Sequence, residues 1–173
     1  MVQPQQVVLI RRPVGVPTSD DFRFESRVPE PLQPGQIRVA VRYVSLDPAM
    51  RGWMSDLPSY MPPVRLGEVM RSFGVGEVVE STDDGVGVGS LVSGMTGVQT
   101  EWVTTARKAT RLPDTDIPLS AFVGPLGIPG LSAYFGLLDV GAPQAGQTVL
   151  VSGAAGAVGS IVGQIARIKG CRT

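Results

Sequence analysis

The chain has 173 residues, 43% of them apolar and 17% charged, with 15 basic side chains balancing 15 acidic ones. That length suits one domain with a true core and part of a second, and the neutral balance argues against a nucleic-acid partner, which usually needs a basic face. With no histidine and a single cysteine, Cys171, an internal disulfide, a Cys/His zinc site, a Ser-His-Asp triad and a Cys-His pair are all excluded, and no metal site is expected.

From Met1 to Arg12 the only apolar run is Val7-Val8-Leu9-Ile10, too short for a signal-peptide core and predicted to be a strand. Alternation then predicts a strand over 36–44, with Ile37, Val39, Val41 and Tyr43 on one apolar face and Tyr43 in the core. Further strands are expected at 75–80, 90–93 and 102–105. They are separated by turn chemistry at Pro34-Gly35, Asp47-Pro48, Asp84-Gly85 and Pro113-Asp114. Short strands at this spacing, with no long helix, predict a small barrel or sandwich.

The texture changes near Pro118. The stretch from Ile117 to Leu138 carries no charge, but Pro118, Pro125 and Pro129 break it, so it reads as two short buried helices with a hinge and not as a membrane span. Tyr134 is expected in the helix core. Gly141-Ala142-Pro143 and Ala145-Gly146 make a loop. Thr148-Val-Leu-Val-Ser152 then reads as a strand buried on both faces.

Directly after it comes Gly153-Ala-Ala-Gly156-Ala-Val-Gly159-Ser160. A helix follows, with Val158, Ile161, Val162, Ile165 and Ile168 on one face and Gly170 as its C-terminal cap. Strand, glycine turn and helix is the order that binds a dinucleotide. Phosphates need backbone N–H groups at the positive end of a helix with no side chains in the way, and the late glycine permits close helix–strand packing. Ala154 stands where the standard motif has its first glycine, which a negative φ tolerates. The alternative is a turn that serves packing alone. The residue that selects NAD or NADP lies ~20 positions past the glycines, beyond Thr173.

At this point the sequence resembles a known family. The segments Leu126 to Gly141, Ser152 to Cys171, Val44 to Gly52, Gly67 to Met70 and Gly74 to Ser81 are similar, in order and spacing, to the leukotriene B4 dehydrogenase / prostaglandin reductase group. This group belongs to the zinc-independent medium-chain dehydrogenase/reductase superfamily. The resemblance implies a mainly β fold with an α/β tail: a GroES-like, partly open β-barrel over 1–117, then hinge helices and the first βα unit of a truncated Rossmann domain over 118–173. It implies NADP(H) as cofactor and, as substrate, a small conjugated carbonyl whose C=C bond is reduced by hydride transfer to the β-carbon, with hydrogen-bond donors in place of zinc to hold the enolate.

By position in that family, Gly156, Ala157, Val158 and Gly159 are expected at the pyrophosphate. Ser132 is expected near the nicotinamide or, alternatively, as a helix-start cap. Met50, Arg51, Tyr60 and Met70 are expected at the substrate pocket, with Arg51 alternatively an ion-pair partner of Asp47. No catalytic residue is named: the tyrosine linked to enolate protonation, the 2′-phosphate contacts and the strands that complete the barrel fall beyond Thr173. Two departures bear on the site. Ala49 replaces an aromatic residue, which opens the pocket, and Gly89-Ser90 replaces Gly-Asp.

The expected protein is therefore a cytoplasmic oxidoreductase portion, inactive alone, from a homodimeric parent. With apolar faces left uncovered, the chain is expected to self-associate. The alternatives are a quinone reductase of the same superfamily, or a GroES-like binding module without chemistry.

Overall fold

The computed structural model describes residues 3–173 and leaves Met1 and Val2 outside the description. The chain divides into two compact units, Met1–Asp116 and Ile117–Thr173.

The first unit is built from antiparallel strands. β1 (Gln5–Leu9) pairs with β2 (Phe22–Ser26) in a register that sets Val7 opposite Phe24. Next come β3 (Gln36–Val44), a short helix α1 (Ala49–Trp53), β4 (Gly74–Ser81), β5 (Leu91–Gly94), β6 (Glu101–Thr105) and β7 (Thr110–Arg111). Five of these strands form one sheet in the order β6-β3-β4-β5-β7. Backbone bonds stitch β1 to the segments that flank this sheet: Val7 N–H donates to the Val98 carbonyl at 2.9 Å, and Met70 N–H to the Val7 carbonyl at 2.8 Å.

Two apolar clusters hold the unit. Leu9, Met50, Trp53, Met54, Val64 and Met70 form one, under α1. Ile37, Val39, Val78, Val92, Trp102 and Ala106 form the other, drawn from β3, β4, β5, β6 and the turn after β6. Full burial of such side chains contributes about 1.5–3 kcal/mol each. Between the strands, buried Arg38 pairs with Glu80 and Glu101, each at 2.7 Å, and donates to the Glu30 carbonyl at 2.6 Å. Burial lowers the pKa of this guanidinium, but the two carboxylates outweigh burial and hold it above its ordinary value.

β3 spans the residues that alternation predicts, yet Tyr43 is exposed and not core. The register against β4 shifts between Val41 and Tyr43, and a bulge of this kind re-aims the side chains beyond it.

In the second unit a 3-10 turn (Leu119–Val123) precedes α2 (Ile128–Phe135). A π-helical stretch (Gly136–Gly141) follows, and then α3 (Ala157–Ile168), which packs on α2. Leu137, Ala166 and Cys171 are its buried core. Tyr134 is exposed instead of buried: its ring meets Phe135 edge-to-face at 5.3 Å on the outer side of α2, while Pro129, Gly130 and Ala133 take the inner side. On α3, Val162 and Ile165 pack on the core as expected, but Val158 and Ile168 are exposed. Gly170, at φ +79°, closes the helix.

The buried strand expected over 148–152 is present only as its first pairing. Thr148 makes an isolated parallel bridge to Arg172, the Val149 N–H donates to the Arg172 carbonyl at 2.8 Å, and Leu150 is 97% exposed. A strand buried on both faces needs neighbours on both sides, and three residues at 171–173 supply one partial neighbour. Among the described residues, no helix is long and apolar enough to cross a membrane.

Candidate functional site

The glycine turn at the start of α3 is the best-defined site feature. Gly153 adopts φ +62°, the left-handed region that favours glycine, and its carbonyl accepts from the Gly156 N–H at 2.8 Å. Gly156 is the N-cap of α3 in extended geometry, and no side chain caps the helix end. The first intrahelical bond runs from the Ser160 N–H to the Gly156 carbonyl at 3.0 Å. The N–H groups of Ala157, Val158 and Gly159 therefore precede the helical ladder, where they are left for an external acceptor, and Gly153 to Val158 are exposed.

Gly159 is constrained by close approach. A methyl group there would collide with the Gly153 carbonyl oxygen and lie 3.0 Å from the Ala154 Cα, so only glycine lets the helix seat on its own turn. Ala154 is not among the residues with positive φ, so its methyl group carries no strain. The sequence pattern singles out Gly156 to Gly159 as candidates but not Gly153, whose φ of +62° sets the turn. The signal was the three-residue spacing of Gly153, Gly156 and Gly159.

This arrangement fits a dinucleotide pyrophosphate. Exposed, unladdered amides at a positive helix end suit an anion, and absent side chains leave the approach open. A cleft of about 490 Å³ runs along the same helix, lined by Leu150, Val151, Ala154, Gly159, Gly163 and Arg167 among others. Its side formed by Val149, Leu150 and Val151 is apolar, which does not suit a phosphate.

Ser132 is exposed in the second turn of α2. It is not a helix-start cap, because the helix begins at Ile128 after an N-cap at Gly127. The four residues expected at a substrate pocket divide. Met50 (8% exposed) and Met70 (1%) lie in the cluster under α1. Tyr60 stands exposed on its loop. Arg51 does not pair with Asp47: its Nε donates to the Gly15 carbonyl at 3.0 Å and its Nη2 to the Pro13 carbonyl at 3.2 Å. A separate groove of about 340 Å³, lined by Val7, Phe24, Val41, Tyr43, Val44 and Val98 among others, includes none of these four. Among the described residues no cluster of His, Cys, Asp or Glu is arranged to hold a metal ion.

Comparison with known proteins places this geometry in context. Residues 5–112 match the family described as the N-terminal domain of oxidoreductase. Over 170 residues the chain is 51% identical to the putative NADP-dependent oxidoreductase YfmJ of Bacillus subtilis, covering 97% of this chain and 49% of that protein. It is 44% identical to the NADPH-dependent curcumin reductase of Escherichia coli, over 95% of this chain and 48% of that one. The crystal structure of CurA from Vibrio vulnificus in complex with NADPH superposes with a TM-score of 0.88 at 42% identity, over 97% of this chain and 50% of CurA. The chain thus spans about half the length of the curated relatives it matches.

Proposed function

The chain belongs to the oxidoreductase N-terminal-domain family, in the zinc-independent medium-chain dehydrogenase/reductase group, and on that footing we propose that it is the N-terminal part of an NADPH-dependent reductase acting on the C=C bond of α,β-unsaturated ketones and aldehydes. The observation that carries the reading is the glycine turn: Gly153 in left-handed geometry, Gly159 seated where no side chain fits, and an uncapped helix end between them. Relatives named as a putative NADP-dependent oxidoreductase, an NADPH-dependent curcumin reductase and an NADP(+)-dependent 2-alkenal reductase support the choice of cofactor and substrate class.

In this proposal the N–H groups of Ala157, Val158 and Gly159 hold the pyrophosphate, with Gly156 turning the chain so that they point outward. Ser132 faces the nicotinamide. NADPH, when bound, supplies the hydride that adds to the β-carbon. The substrate lies beside α1 and the Tyr60 loop, over the buried Met50 and Met70 and next to Arg51, and Ala49 leaves room for a bulky conjugated system. Residues 1–117 form the GroES-like substrate domain, and residues 118–173 carry the hinge and open the nucleotide domain. The protein is read as cytoplasmic, and the complete enzyme as a homodimer.

Calorimetric titration tests the reading. The protein, expressed with any residues that follow Thr173 in its reading frame, is titrated with NADPH and then with NADH. Saturable binding that prefers NADPH is expected. A flat titration with both nucleotides would overturn the proposal.

A further inference from the structure

The segment from Arg11 to Thr18, which leads from β1 towards β2, has no regular secondary structure, yet three arginines hold it. Arg11 pairs with buried Asp21 at 2.8 Å. Arg12 donates to the carbonyls of Met54 and Val64 at 3.1 and 2.6 Å and pairs with Asp56 at 2.7 Å. Arg51 reaches out from α1 to the carbonyls of Pro13 and Gly15. Between its clamped ends this segment displays two apolar side chains: Val14 is 98% exposed and Val16 84%.

A lone exposed valine needs no explanation. Here, however, two of them ride on a segment whose ordering is entropically unfavourable and is offset by guanidinium bonds to backbone oxygens. The Arg51 contact is specific to arginine. Its Nε and Nη2, one edge of a planar fork, bridge two carbonyls two residues apart, which the point charge of a lysine does not reproduce. With that edge the side chain would otherwise grip a ligand oxygen, and it is already occupied.

We propose that Arg51 is a positioning residue and not a substrate ligand: it fixes residues 13–16 as a strap beside α1, and Val14 and Val16 on that strap form the apolar rim of the substrate cleft. The rim favours conjugated carbonyls with an extended hydrocarbon tail over short ones. This rests on the reading above that substrate binds beside α1.

Two measurements test it. Elastase cuts after small aliphatic residues, so Val14-Gly15 is open to it, whereas Pro17 protects the bond after Val16. In the purified chain, Arg51→Lys is expected to raise the rate of cleavage after Val14 by about tenfold, with the circular dichroism spectrum retained. An unchanged rate would overturn the strap.

In the protein expressed with any following residues, the ratio of kcat/KM for trans-nonenone to that for methyl vinyl ketone is compared among variants. Val14→Ser, Val16→Ser and Arg51→Lys are each expected to lower the ratio by roughly fivefold, through KM for the long ketone. Val88→Ser, an exposed valine elsewhere on the first unit, is expected to leave it unchanged. A ratio unmoved by the strap variants, or an equal loss on both ketones through kcat, would overturn the rim. If the wild type reduces neither ketone, the proposed function is refuted, while the elastase result still decides the role of Arg51.

Discussion

Replacing Gly159 with alanine probes the glycine turn at its tightest point. The added methyl group would collide with the Gly153 carbonyl oxygen and sit 3.0 Å from the Ala154 Cα, where ordinary contact begins at 3.4 Å. Both obstacles are backbone, so relief requires the turn and the helix to part. Overpacking of this kind costs about 1–3 kcal/mol, divided between lower stability of the second unit and a turn displaced from its phosphate-binding geometry. Carried wholly by the bound state, it corresponds to roughly 5- to 150-fold weaker NADPH binding. Gly163, one turn further along α3, is the internal control. Nothing lies within 4 Å of a methyl group there, so Gly163→Ala is expected to stabilise the helix by about 0.5–1 kcal/mol. Denaturant unfolding and NADPH calorimetry on both variants give the comparison. A Gly159→Ala protein with wild-type stability and wild-type affinity would refute the reasoning.

Three further outcomes are expected. Arg38→Ala removes the cation that bridges Glu80 and Glu101 inside the sheet. A loss of about 3 kcal/mol in urea unfolding is expected, and a loss below ~1 kcal/mol would show the network to be dispensable. The Asp21 carboxyl is held below its ordinary range chiefly by the hydrogen bond from the Thr18 main chain, with Arg11 adding to this and burial opposing it. The stability it contributes is therefore full above the unfolded carboxylate pKa and is lost as pH falls through the folded value. Asp21→Asn is expected to flatten the acid limb of Tm against pH, and parallel wild-type and variant curves would contradict this. Finally, the bare Leu150 and the exposed Ile168 predict that the 173-residue chain self-associates and that Leu150→Ser reduces this. A monodisperse wild-type monomer by light scattering would overturn that prediction.

What the sequence made legible is what depends on local periodicity. β3 was readable to the residue because Ile37, Val39 and Val41 alternate with polar neighbours. The strand at 74–81 was readable to within one residue at each end. The helix after the glycines was legible in both its start and its closing Gly170. β2 escaped notice because Phe22-Arg-Phe-Glu-Ser26 buries little: Phe24 points outward, and the strand is held by backbone pairing to β1. α1 escaped because five residues following a proline carry no period. The run at 148–152 was over-read, since an apolar run becomes a strand only when neighbours exist to pair with it. At the site, glycine spacing reported the turn. The Arg51 contacts were invisible because they join α1 to carbonyls more than thirty residues away, Pro13 and Gly15, and no local pattern encodes such a pairing.

The measurement that bears most directly on the proposed chemistry is the fate of the transferred hydride. The protein, expressed with any residues that follow Thr173, is incubated with trans-nonenone and NADPH deuterated at its transferable position, and the product is read by NMR. Deuterium at the β-carbon of a saturated ketone is the predicted result. Deuterium at a carbinol carbon, or recovery of the enone unlabelled, would contradict the assignment of this chain to a C=C reductase.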